Sequence, residues 1–248
     1  MLSGRKQSLM LVINPTAGKN RARDNVFMLI DYFFTHGYQV AVYPTRAKGD
    51  VCRYVAEFAP LYDAVVCVGG DGTLNEAVTG LMFCDPEDRP RLGYIPAGTT
   101  NDFANTLGIS GEMAQSAEQF CNGDAFRCDI GRFNGKYFTY VAAFGLFTEV
   151  SYETPQPLKN ALGHAAYILE GVKSLASIQS YHLKITCDGE EVEGDYIYGQ
   201  ISNSTSIAGI MDISRTGVQL DDGLFEVLVV RMPSNVIELN AIISSLMF

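Results

Sequence analysis

Two kinds of hydrophobic spacing share this chain, and one replaces the other near residue 123. Before that point, short continuous apolar runs alternate with stretches whose apolar residues recur every three or four positions. "SLMLVINP" reads as a buried strand, and "ARDNVFMLIDYFFTHG" as a helix with Gly37 as its stop signal. "YQVAVYPT", "YDAVVCVGG" and "RLGYIPAGT" continue the strand series. "GDVCRYVAEFAP", "TLNEAVTGLM" and "SGEMAQSAEQFCNG" continue the helical one. Strand and helix in turn predict a mostly parallel sheet with helices on its faces.

After Gly123 the alternation becomes that of hairpins. "AFRCDIGRFNGKYFTYVAAFG" turns at Asn134-Gly135, and "YHLKITCDGEEVEGDYIYGQISNS" turns at Asp188-Gly189. "GLFEVLVVRM" adds a strand, and one helical insertion, "LKNALGHAAYILEGVKSLAS", separates the hairpins. The expected organisation is an α/β domain over residues 1–124, followed by a mainly antiparallel β-sandwich domain over 125–248.

Composition narrows the function classes. The formal charge of −10 argues against a general nucleic-acid binder, which would show a basic face. The six cysteines form no C-x-x-C pair and read as reduced thiols of a cytoplasmic protein. The N-terminal apolar run "LMLVI" is too short for a secretion signal. No run approaches the roughly 18 residues that span a bilayer, so any membrane contact is expected from the surface.

The chemistry gathers at "VVCVGGDGTLNEAVTGL", residues 65–81. Gly69, Gly70 and Gly72 remove side chains where a strand passes into a helix, letting backbone N–H groups face an anion. Thr73 and Glu76 match a capping box, which would start the helix here with its positive end at the turn. That end favours an anion by about 0.3–1 kcal/mol. Asp71 opposes it, unless a divalent cation such as Mg²⁺ lies between carboxylate and phosphate. The turn is neither a P-loop nor a dinucleotide fingerprint: Asn20 follows Gly18-Lys19 where a P-loop has Ser or Thr, and Asn75 replaces a third Gly.

A second turn of the same kind, "IPAGTTNDFANTLG" at 95–108, sets Thr99, Asn101 and Asp102 at the end of the next strand. Ligands of open α/β sheets sit outside the carboxyl ends of the strands, where these two loops would converge.

These residues resemble the diacylglycerol kinase catalytic domain superfamily, and most of all its soluble bacterial lipid kinases. The matching stretches are "NPTAGK" 14–19, "GGDGTLNE" 69–76, "PAGTTNDFA" 96–104, "CDIG" 128–131, "VSYETP" 150–155 and "LDDGLFEV" 220–227. "GGDGT" alone is shared with NAD kinases; its combination with the second and third motifs is specific to the lipid kinases. The resemblance implies an ATP- and Mg²⁺-dependent transferase of lipid metabolism, acting on a glycerolipid hydroxyl, first of all diacylglycerol. It implies that Asn14, Thr45, Gly69, Gly70, Asp71, Gly72, Thr73, Leu74, Asn75, Glu76, Gly98 and Thr99 bind the nucleotide. Asp71 and Asp102 would serve the reacting phosphates and their metal. A second, structural Mg²⁺ would be held by the Asp222 carboxylate and the main-chain oxygens of Gln219 and Leu224, with Asp129 and Asp102 in the network around its waters. The implied partner is a lipid at the inner face of the membrane, bound peripherally, with a homodimer as the oligomeric option.

Other readings stand beside these. Asp221-Asp222-Gly223 also reads as a plain hairpin turn, His164 and His182 as fold residues, and "YFTYVAAFGLF" as the core of the β domain. Lys19, Arg21 and Arg23 read as a solvated helix start or as a rim for anionic headgroups. In the resembled family the general base lies in a "DGE"-like stretch C-terminal of "LDDGLF". The following "LVVRMPSNVIELNAIISSLMF" contains none. The base and the closing strands are therefore expected beyond Phe248, and a nucleotide- or lipid-binding protein without turnover is the alternative function.

Overall fold

Strand β1 (Gln7–Ile13) buries five consecutive residues, Leu9 to Ile13, and β3 (Ala64–Gly69) is buried throughout. Strands hydrophobic on both faces belong at the centre of a sheet covered on both sides. The computed structural model, which describes residues 7–146, 178–204, 206–207, 211–212 and 217–247, places them there. With β2 (Tyr38–Pro44) and β4 (Arg91–Pro96) they form a parallel sheet of order β2-β1-β3-β4. "VSYETP", the helical insertion and His164 lie outside the described residues.

Alternation along the strands sorts the two faces. Leu9, Leu11, Ile13, Val66, Val68 and Ile95 pack with Leu29 and Phe33 of α2 (Val26–Thr35) and with Met113 and Ala117 of α6 (Met113–Asn122). The opposite face takes α3 (Asp50–Phe58) and α4 (Asp71–Leu81), which also pack on each other. Gly80 permits that approach: a Cβ there would stand 2.7 Å from the Cys52 carbonyl oxygen. The single helix expected over 22–37 is instead two, α1 (Arg21–Asp24) and α2, divided at Asn25. Asn25 has ψ near zero, and its side-chain amide donates to the Arg21 carbonyl.

The chain divides into two compact units, 1–139 and 140–248. This differs from the division expected at residue 124. The hairpin of β5 (Gly131–Phe133) and β6 (Lys136–Phe138) belongs to the first unit, because Asn75 of α4 ties it there. The Asn75 Oδ1 accepts Thr139 N–H at 3.1 Å, and its Nδ2 donates to the Tyr137 carbonyl at 3.4 Å. Both residues of its turn, Asn134 and Gly135, have positive φ (48° and 79°), as that dipeptide foretells.

In the second unit the 13-residue β9 (Glu190–Ser202) organises an antiparallel sheet. Its first half pairs with β8 (Tyr181–Cys187) across the Asp188-Gly189 turn. Its second half lies between β7 (Val141–Gly145) and β12 (Glu226–Arg231). A two-residue pair, β10 (Ser206–Ile207) with β11 (Met211–Asp212), and a helix, α7 (Val236–Met247), complete the described elements.

Candidate functional site

The order β2-β1-β3-β4 reverses direction between β1 and β3, the topological switch point where ligands of such sheets bind. Three loops meet at the carboxyl ends of β1, β3 and β4. Backbone bonds hold them in place: Asn14 N–H donates to the Val68 carbonyl at 3.0 Å, and Ala97 N–H to the Gly69 carbonyl at 2.7 Å. Thr45, following β2, donates its N–H to the Ile13 carbonyl at 2.9 Å.

Each loop has its own local reason to turn. Asn14 Oδ1 accepts from the Thr16 N–H (3.1 Å) and hydroxyl (2.9 Å), an Asx turn that carries the chain off β1. In the β4 loop, Asn101 holds φ at +53°, and its side chain exchanges two hydrogen bonds with the Gly98 backbone, at 2.9 and 3.0 Å. In the β3 loop, α4 starts at Asp71 with Gly70 before it and no side-chain cap. The expected capping box is not formed. Thr73 is buried in the first turn, and Glu76 Oε1 instead accepts Gly49 N–H at 2.9 Å, at the start of α3.

Asp71 is the centre of this arrangement. Its Oδ2 accepts Asp102 N–H and its Oδ1 accepts Phe103 N–H, each at 3.2 Å. One carboxylate on the β3 loop thus satisfies two backbone donors at the start of α5 (Asp102–Thr106), whose orphan N–H groups have no side-chain cap of their own. Asp102 is buried, at 3% exposure, whereas Asp71 is half-buried and faces the loops.

The glycines divide by task. A Cβ on Gly98 would lie 2.6 Å from Gly70 Cα and 2.7 Å from Asn101 Oδ1, and one on Gly18 would collide with the Ala97 carbonyl oxygen. These glycines allow loop to pack on loop. A Cβ on Gly72 would meet nothing within 4 Å, so Gly72 is the glycine of the turn that opens onto space. The structure therefore brings together Asn14, Thr45, Gly70, Asp71, Gly72, Gly98 and the exposed Thr99. It gives other expected residues different work. Leu74 turns its side chain away, with Phe103, into an apolar cavity of about 540 Å³ behind the loops. Asn75 binds the hairpin and Glu76 binds α3.

Asp50, which the sequence reading did not single out, shapes the loop after Thr45. Its Oδ2 accepts Arg46 and Ala47 N–H at 2.9 Å each, and Arg53 reaches Oδ1 at 3.0 Å. The Arg46 N–H, then Arg53 and the Ala47 N–H, hold its carboxyl down to about 2. The signal was present as an acidic residue opening a predicted helix. The basic stretch is partly engaged: Arg21 donates to the Gly111 carbonyl (2.9 Å) and contacts Glu112, and Arg23 contacts Asp24.

In the second unit, Asp222 is exposed and its Oδ1 accepts Leu224 N–H at 2.9 Å, a local turn. Asn203 Nδ2 anchors that loop through the Leu220 carbonyl at 3.0 Å. His182 bridges Asp195 (2.9 Å) and Glu193 (3.2 Å) on the sheet surface, which raises its pKa and agrees with its reading as a fold residue. Among the described residues no group of three or more His, Cys, Asp or Glu is placed to hold a metal.

Residues 8–133 match the diacylglycerol kinase catalytic domain. The chain belongs to that family. It is 35% identical over 223 residues to the diacylglycerol kinase of Bacillus subtilis (strain 168), covering 89% of this chain and 73% of that protein. A Staphylococcus aureus (strain MRSA252) diacylglycerol kinase is 35% identical over 236 residues, covering 94% and 73%. A crystal structure of a diacylglycerol kinase from Bacillus anthracis str. Sterne superposes with a TM-score of 0.77 at 28% identity, over 98% of this chain and 81% of that one. Family membership makes the chain a lipid kinase and implies ATP as its phosphate donor. No helix among the described residues is long and apolar enough to cross a membrane.

Proposed function

We propose that this chain transfers the γ-phosphoryl group of ATP to the free hydroxyl of diacylglycerol, giving phosphatidic acid, at the inner surface of the membrane. The hydroxyl oxygen forms the new bond to phosphorus, the bridging bond to the β-phosphate breaks, ADP leaves, and the hydroxyl proton is released. Phosphoryl transfer asks a protein mainly for positioning and charge neutralisation. The observation that carries the reading is the half-buried Asp71 carboxylate, which locks the β3 and β4 loops together beside the open face of Gly72.

Mg²⁺ fits this carboxylate. Each Asp71 oxygen accepts one N–H group, at 3.2 Å, which leaves a further lone pair on each for a hard cation, and phosphate oxygens and waters would complete its usual shell. When bound, the ion would neutralise charge on the transferring phosphate. The chain's own residues orient the nucleotide. The start of α4 at Asp71 and Gly72 would face the phosphates, the Thr73 and Leu74 N–H groups being taken by the Gly70 carbonyl; Gly72 would admit their close approach, and Gly98 and Thr99 would form the facing wall. Asn14 and Thr45 fix the loops at either side. Asp222 with the Gln219 and Leu224 main-chain oxygens would supply a second, all-oxygen set of ligands for Mg²⁺. The lipid is met peripherally, nucleic acid is not a partner of so acidic a chain, and a homodimer is the proposed assembly.

The test is incubation of the protein with γ-labelled ATP and vesicles carrying diacylglycerol, monoacylglycerol or a sphingoid base, with NAD as a soluble competitor. Label in phosphatidic acid, lost on chelation of divalent cations, is the expected result. Label on NAD in place of any lipid would overturn the proposal.

A further inference from the structure

The loop from β2 to α3, residues 45–49, has little packing to hold it. Thr45 is half-buried, and Arg46, Ala47, Lys48 and Gly49 are all exposed. Burial cannot order such a loop, so its hydrogen bonds must. Its backbone donors are taken one after another. Thr45 N–H goes to the Ile13 carbonyl, Arg46 and Ala47 N–H both go to Asp50 Oδ2, and Gly49 N–H goes to Glu76 Oε1, each at 2.9 Å. One carboxylate thus takes two successive donors, and bonds to an ionised acceptor are roughly twice as strong as neutral ones.

The direction of these bonds matters. An acidic residue opening a helix ordinarily faces the free N–H groups of the turn ahead. Asp50 opens α3, yet its Oδ2 faces back to the residues before it, and α3 has no side-chain cap. Its bond toward the helix is with a side chain, the Arg53 guanidinium, which donates to Oδ1 at 3.0 Å. The carboxylate orders the loop more than the helix.

Both ends of that loop are fastened to the candidate site. Ile13, which receives Thr45, precedes Asn14, whose own N–H donates to the Val68 carbonyl ahead of the glycine turn. Glu76, which receives Gly49, stands on the same helix as Asp71 and Gly72. A loop held in this way meets a nucleotide without rearranging. A nucleotide that must first order it binds more weakly, because each residue fixed costs conformational entropy.

We propose that Asp50 is a positioning residue for the nucleotide: its carboxylate holds the loop of residues 45–49 in its binding shape before ATP arrives, and so sets the affinity for ATP without touching the reacting atoms. The proposal rests on the lipid-kinase reading for the nucleotide and for Thr45 as its contact.

The test compares wild type, Asp50→Ala and Arg53→Ala by calorimetric titration with ATP and Mg²⁺, by steady-state kinetics on diacylglycerol and by thermal unfolding. Arg53→Ala cuts the tie between Asp50 and α3 but leaves Oδ2 to the loop. Both variants should melt earlier than the wild type. Asp50→Ala should weaken ATP binding and raise KM for ATP by about tenfold, the cost of ordering freed residues. Its kcat at saturating ATP and its KM for diacylglycerol should stay within about twofold, as should the ATP affinity of Arg53→Ala. Asp50→Asn, which keeps an acceptor oxygen, should recover most of the affinity. Hydrogen exchange should find the amides of residues 45–49 protected in the wild type before ATP is added, and in Asp50→Ala only afterwards.

Unchanged ATP affinity in Asp50→Ala, or equal losses in the two alanine variants, would overturn the positioning role. Should Asp50→Ala not fold, exchange in the wild type decides, and unprotected loop amides without ATP would overturn it as well. Absence of phosphoryl transfer by the wild type would count against the kinase reading, and the calorimetric titration would still decide the role of Asp50. A wild type that binds no ATP would overturn both.

Discussion

The Asp71 carboxylate accepts the backbone N–H of Asp102 at 3.2 Å, joining two residues 31 positions apart. With its second oxygen on Phe103 N–H, the same side chain caps one helix while standing in the first turn of another. An acidic residue in an anion-attracting turn is thereby accounted for twice over. It closes the β3 and β4 loops upon each other, and in the proposed function it faces the metal of the nucleotide.

The glycines of these loops should separate by substitution. Gly98→Ala places a Cβ 2.6 Å from Gly70 Cα, so the loops must part. A stability loss of about 1–3 kcal/mol is expected, with weaker ATP binding. Gly72→Ala meets nothing within 4 Å and lies inside α4, where alanine is favoured over glycine by about 0.5–1 kcal/mol. Thermal unfolding should show Gly72→Ala unchanged or more stable, while its KM for ATP rises. A parallel fall in stability for both variants would show that Gly72 is a packing residue too.

The alternation of apolar runs was enough to read the parallel sheet, because β1 and β3 are buried on both faces and carry no polar interruption. Both hairpin turns were legible because Asn-Gly and Asp-Gly supply two positive φ angles. Three other features depended on partners far along the chain. Glu76 sits at capping-box spacing from Thr73, yet Gly49 N–H, 27 residues away, takes its carboxylate. Asn75 looked like part of the phosphate turn, but the hairpin 62 to 64 residues on receives its amide. That bond also moves the division between the units beyond residue 124. The Gly18 and Gly98 contacts are likewise with other loops, and no local pattern reveals them.

Acid should act through Asp50. Its folded-state pKa of about 2 lies below the ordinary carboxylate value of 3.8, held there chiefly by Arg46 N–H, then Arg53 and Ala47 N–H. A depressed carboxylate contributes stability above its unfolded pKa and loses it as pH falls toward the folded one. Between about pH 4 and 2 the wild type should therefore lose stability more steeply than Asp50→Asn. Coincident acid-unfolding curves would contradict this role.

Asp222 offers a separate test of the second proposed cation. Asp222→Ala removes the acceptor of Leu224 N–H and should lower the melting temperature. Added Mg²⁺ should raise the melting temperature of the wild type more than that of the variant. Equal responses would leave this stretch as a turn and nothing more.

The central claim is best tested at Asp71, by measuring turnover of labelled ATP and diacylglycerol alongside thermal unfolding for wild type and Asp71→Asn. The asparagine keeps one oxygen for a backbone N–H but loses the other acceptor and the charge. Turnover should fall by about 10²-fold or more, as for other groups that stabilise charge in transfer. Stability should fall by only about 1 kcal/mol, the worth of one hydrogen bond. Near wild-type turnover by a folded Asp71→Asn protein would contradict the account.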